Sequence, residues 1–97
     1  MIDLTKKMFD YYELIWFDGG KLEIKRPSQS MLIDMMNLEK LPEEKQIEGM
    51  YELVRAVLNN NINNRVFTKE EVDSIDYSII ELIMEDYLQE VFPNLGQ

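Results

Sequence analysis

Apolar and polar positions change period along the chain, and those changes divide it into elements. Residues 11–17, Tyr-Tyr-Glu-Leu-Ile-Trp-Phe, are aromatic and rich in β-formers. Residues 21–25, Lys-Leu-Glu-Ile-Lys, alternate polar and apolar with period two. Asp18-Gly19-Gly20 between them is a turn signal, so 11–25 reads as a β-hairpin. Leu22 and Ile24 then share one face of the second strand. Tyr12, Leu14 and Trp16 share one face of the first, and Tyr11, Ile15 and Phe17 the other. A strand apolar on both faces needs cover on both, from the chain's own helices or from a partner.

The period then becomes helical. Arg26-Pro27 ends the second strand, because proline lacks the ladder donor. Ser28 or Ser30 caps a helix carrying Met31, Leu32, Met35, Met36 and Leu38 through about Lys40, with Met31, Met35 and Leu38 on one side. Leu41-Pro42-Glu43-Glu44 starts the next helix: proline suits the first turn, and the carboxylates complement the positive end of the helix dipole. Ile47, Met50, Tyr51, Val54, Val57 and Leu58 form its apolar stripe, which ends near Asn60. Gly49 inside it costs about 1 kcal/mol relative to alanine and admits close packing. The asparagines at 59–61, 63 and 64 read as a helix end with a turn.

Thr68-Lys69-Glu70-Glu71 is a capping box, and Phe67 and Val72 have the spacing of a hydrophobic staple. This short helix stops around Ser74–Ile75, and Asp76 caps the last one. Ile79, Ile80, Ile83, Met84, Tyr87, Leu88 and Val91 give that helix, over about 77–91, a broad apolar face. Pro93 and Gly96 mark its frayed end. The expected fold is α+β and mostly helical: a single domain over 1–97, with a hairpin at about 11–25 and three or four α-helices at about 29–92.

Composition narrows the chemistry. The 97 residues contain no cysteine and no histidine. This excludes disulfides, thiolate metal sites, cysteine nucleophiles and any serine–histidine–aspartate triad within the chain. The net charge is −9. Residues 66–97 hold eight carboxylates against Lys69 alone, and the acidic excess lies there. It is either a solvated helix face or an electrostatic partner site. No apolar run approaches the roughly 18–20 residues that span a bilayer, and residues 1–7 are not followed by an apolar core of signal-peptide length with a small-residue cleavage site, so no signal peptide is expected. The expected location is the cytoplasm.

Carboxylates are the only acid–base groups in number. Glu70, Glu71 and Asp73 lie close in sequence, as do Glu81, Glu85 and Asp86, but all fall on the polar sides of amphipathic helices. Residues 73–78 place isoleucine and tyrosine where a calcium loop wants ligands and glycine. Asp18-Gly19-Gly20-Lys21 lacks phosphate-loop spacing. Lys21, Lys25 and Arg26 lie near Trp16 and Phe17, but the overall charge opposes a nucleic-acid face. No catalytic residue, metal ligand or cofactor site is assigned, and the chain is read as a non-enzyme. Met31, Met35, Met36, Met50 and Met84 lie on apolar faces, where methionine either fills a core or offers an adaptable surface to an apolar helix.

The order of these features resembles the tail assembly chaperones of long-tailed bacteriophages and prophages, especially those of Gram-positive bacteria. The resemblance is carried by the strand pair ending in Lys25-Arg26-Pro27-Ser28 and the helix ending in Val57-Leu58-Asn59-Asn60-Asn61. Phe67-Thr68-Lys69-Glu70-Glu71-Val72 and the helix through Glu90-Val91 follow, so that it covers about Tyr11 to Val91. It implies a role in tail morphogenesis: binding the tape measure protein, keeping it soluble, and giving way when the tail tube protein polymerises around it. It also implies self-association, a longer frameshifted form in many members, a place in the host cytoplasm and absence from the mature virion. Candidate partner-binding residues are Met84, Tyr87 and Leu88 on the last helix, and Trp16 and Phe17 on the first strand. Neither nucleic acid nor membrane is an expected partner. The alternative is a small acidic regulatory protein, a DNA mimic or antitoxin-like inhibitor, suggested by the charge of residues 66–97.

Overall fold

A computed structural model of the chain describes Met1 and residues 11–92. An antiparallel hairpin, β1 (Tyr12–Ile15) and β2 (Lys21–Ile24), is followed by α1 (Gln29–Leu38), α2 (Glu43–Asn59), α3 (Lys69–Asp73) and α4 (Tyr77–Val91). The α+β, mostly helical expectation holds. Pro93 and Gly96 lie outside the described residues.

The strands pair Tyr12 with Ile24, Glu13 with Glu23, Leu14 with Leu22 and Ile15 with Lys21. β1 is shorter than the expected 11–17 because the connection takes up Trp16 and Phe17. Gly19 N–H donates to the Trp16 carbonyl, and Trp16 N–H to the Gly20 carbonyl, both at 2.8 Å. Gly19 sits at φ +84°, the left-handed position that closes a three-residue loop with a bulge.

β2 does not keep a bare outer edge. Lys25 N–H donates to the Asn60 carbonyl and Ile62 N–H to the Glu23 carbonyl, each at 2.9 Å, and Asn61 bridges Ile24. The asparagine cluster builds this return. The Asn59 side-chain amide exchanges two bonds with the Phe67 backbone, at 2.7 and 3.1 Å. Asn61 donates to Leu58 and Arg65 carbonyls and accepts from Asn63 and Arg65 N–H groups. Asn64 takes the left-handed conformation, at φ 58°.

Ser28 caps α1 by accepting from Met31 N–H at 3.3 Å. Gly49 brings α1 and α2 together: a Cβ there would lie 2.7 Å from Leu38 Cδ1 and 2.9 Å from Leu41 Cδ1. Thr68 caps α3 by accepting from Glu71 N–H at 3.1 Å. The return contact of the box runs from the Thr68 hydroxyl to Glu71 Oε1, in place of the expected bond to Thr68 N–H. Asp76 caps α4 through Ser78, taking bonds from its N–H and its hydroxyl.

α2 is the hub, with β2, α1, α3 and α4 all packed on it, while α4 also meets β1. The core joins Tyr12, Leu22 and Ile24 of the hairpin to Val54, Val57 and Leu58 of α2, the staple pair Phe67 and Val72, and Ile80, Ile83, Met84, Tyr87 and Val91 of α4. Each such large apolar side chain contributes about 1.5–3 kcal/mol on full burial. Leu53 is buried although it stood outside the expected α2 stripe, and Ile47 of that stripe is 55% exposed.

Candidate partner-binding surface

The hairpin has one covered face and one open face. Tyr12, Leu22 and Ile24 are buried, and Leu14 and Trp16 pack against the core. Ile15 and Phe17, on the other face, are exposed. The sequence asks for cover on both faces, and among the described residues nothing covers Ile15 and Phe17.

Phe17 opens onto a groove of about 460 Å³ where the hairpin turn meets the α3–α4 corner. Its apolar wall is Trp16, Phe17, Ile75 and Ile79, and Glu71 and Asp76 stand beside it. The turn fixes Trp16 by the two backbone bonds above. The Trp16 ring meets Phe67 edge-on at 4.8 Å and Phe17 edge-on at 4.9 Å. Arg65 locks this cluster from outside. Its guanidinium lies 5.9 Å from the Trp16 ring centre and 5.1 Å from that of Phe67. It donates to both Asp18 oxygens, at 2.8 and 3.3 Å. The Arg65 hydrogen bonds, followed by the one from Gly20 N–H, hold the Asp18 carboxyl below its usual range.

The opposite wall is set by the start of α4. Ile79 N–H donates to the Asp76 carbonyl at 3.0 Å, in the first turn. The Ile75 carbonyl accepts from the Tyr51 hydroxyl at 2.6 Å, which anchors the α3–α4 corner to α2. Desolvation, then the Asp76 and Asp73 charges, push the Tyr51 hydroxyl up.

The five residues expected to form a partner surface separate. Phe17 is 70% exposed, and Trp16 is half-buried and lines the groove. Met84, at 5% exposure, and Tyr87, at 0%, belong to the core. The apolar face of α4 is spent on the hairpin and α2, so in this fold these two side chains present no surface. Leu88 is half-buried against the same core. Tyr87 donates its hydroxyl to the Lys25 carbonyl, and burial pushes its pKa up to about 12. Ile75 and Ile79 complete the groove. Ile79 was expected only as part of the apolar face of the last helix, and Ile75 only as the end of the short helix before it.

α1 is a second open region. Six of its ten residues are apolar and none is buried. Met31, Met35 and Leu38 rest against the core as expected, while Ile33 and Met36 face outward. Among the described residues no three carboxylates converge to hold a metal, and no helix is long and apolar enough to cross a membrane.

Compared with known protein families, curated proteins and solved structures, the chain matches none.

Proposed function

We propose that this chain is a non-enzymatic assembly helper that shields apolar helical segments of a client. In the setting the sequence resembles, that client is a phage tape measure protein, kept soluble until the tail tube forms around it. The observation that carries this reading is the open groove lined by Trp16, Phe17, Ile75 and Ile79, which leaves Phe17 70% exposed where the hairpin turn meets the α3–α4 corner. The exposed Ile33 and Met36 of α1 form a second, separate adaptable apolar surface. The net charge of −9 keeps such a surface from random association.

Co-expression with a phage tape measure protein from the same genome tests the reading. The expected result is a larger soluble fraction of that protein and its co-purification with this chain. Unchanged solubility without co-purification would contradict the proposal.

The acidic inhibitor reading keeps one specific support: Glu81, Glu85, Asp86 and Glu90 are all exposed on α4. It calls for capture of a nuclease or DNA-binding protein with an affinity that falls steeply as salt rises.

A further inference from the structure

We infer that the groove between α2 and α3 is a second docking surface, and that its occupant is an amphipathic helix bearing lysine or arginine beside its apolar ridge. The groove measures about 510 Å³ and lies apart from the Trp16–Phe17 groove. Its floor is Ile47 and Tyr51, one helical turn apart on α2. Ile47 belongs to the apolar stripe of its helix, yet it stays 55% exposed, and among the described residues it is not part of the packed core. The Tyr51 hydroxyl is already bonded to the Ile75 carbonyl, so this side chain asks nothing polar of an occupant.

The rim supplies the charge. Glu44, Glu48 and Glu52 recur every four residues beside that floor and span about 12 Å along α2. None of them makes an ion pair or side-chain hydrogen bond among the described residues. Asp73 stands on the opposite wall and holds Lys69, the one cation lining the groove among the described residues, at 2.5 Å. An apolar ridge thus runs beside an acidic ridge with the same rise.

These ridges select the occupant. A purely apolar helix would strip water from the rim carboxylates and leave them unpaired. An acidic helix, a nucleic acid or a second copy of this −9 chain meets like charge across the same rim. A helix with leucine-like residues on one stripe and lysine or arginine on the next, both at four-residue spacing, meets both ridges at once. The inference holds whatever the client of the first groove is.

The probe is a fluorescein-labelled, end-capped 18-residue helix of alanine, leucine and lysine, with leucines and lysines on adjacent stripes. Its binding to the full chain is followed by anisotropy at 50 and 300 mM sodium chloride. The Glu48→Lys/Glu52→Lys variant is expected to weaken binding at least tenfold. Glu81→Lys/Glu85→Lys changes the charge equally on α4 and is expected to weaken it less than threefold. Ile47→Ser, or a peptide with its leucines replaced by alanine, is expected to cost at least fivefold. All the substituted side chains are exposed, and circular dichroism verifies the fold of each variant. The peptide arms need no variant at all. Three results would each overturn the inference: no binding of the probe, equal losses from the α2 and α4 charge reversals, or a change of oligomeric state on reversing Glu48. Soluble tape measure protein in co-expression is a separate readout, so loss of either proposal leaves the other standing.

Discussion

The buried Tyr87 hydroxyl donates to the Lys25 carbonyl at 3.1 Å, across 62 positions of sequence. The Tyr87 ring meets that of Tyr12 edge-on at 5.3 Å, and the Tyr12 hydroxyl donates to Asp86 at 2.7 Å. These contacts clamp the hairpin onto α4. The groove draws Trp16 and Phe17 from the hairpin side and Ile79 from α4, the two elements that the clamp joins. Tyr87→Phe keeps the ring and leaves the Lys25 carbonyl without this partner. The expected cost is about 1 kcal/mol, read from the denaturant midpoint. Tyr87→Ala also opens a cavity and is expected to cost about 3–5 kcal/mol.

The same tyrosines give the fold an alkaline limit. Burial is the main cause of the upward shift of both, and Tyr12 is raised further by Asp86 and Glu90. An unfolded tyrosine ionises at about pH 10. With the Tyr87 hydroxyl at about 12 in the folded chain, the folded state holds the proton more tightly between those values. The stability from this group is therefore fully present below pH 10 and is lost as pH rises toward 12. Urea midpoints measured from pH 8 to 12 are expected to fall only above about pH 10. Tyr87→Phe is expected to make that fall shallower.

Asn61 does more than end a helix. Its amide nitrogen donates at 2.7 and 2.8 Å, and its oxygen accepts at 2.9 and 3.2 Å. Asn61→Ala strands several backbone groups and is expected to cost about 2–3 kcal/mol. Asn61→Asp supplies no amide donors and is expected to be no milder. The Asn63 side chain only accepts one bond, from Glu23 N–H to its Oδ1, and Asn63→Ala is expected to cost about 1 kcal/mol or less. Chemical denaturation of the three variants checks the order.

Exposed Phe17 separates binding from folding. Phe17→Asp removes the outer apolar wall of the groove at a side chain that is 70% exposed and outside the buried core. Its thermal midpoint is expected to correspond to a loss of about 1 kcal/mol, the scale of the edge-on contact with Trp16. In co-expression the variant is expected to lose most of its effect on client solubility.

Much of the fold was legible because its signals are local. The Asp18-Gly19 turn, the Ser28 cap, the Pro42-Glu43-Glu44 start, the Thr68 box and the Asp76 cap each act within a few residues. Leu22 and Ile24 on one strand face, and the α4 stripe from Ile80 to Val91, followed from periodicity. What periodicity does not contain is which element covers which face. Met84 and Tyr87 have an apolar helix face around them, and only the packing of β1 and α2 makes it core. Ile47 has the same spacing as Val54, yet it lies beyond the reach of the hairpin and α4. The groove of Trp16 with Ile75 and Ile79 joins residues some 60 positions apart, so only its hairpin half was visible in the chain.

The central claim is that the open face at Phe17 is where the client sits. Placing a benzophenone amino acid at position 17 and irradiating cells that also make the tape measure protein tests it most directly. The account predicts a covalent adduct to that protein, with none when the same probe replaces exposed Leu82 on α4. Equal crosslinking from positions 17 and 82, or none from 17 while the two proteins still co-purify, would contradict it.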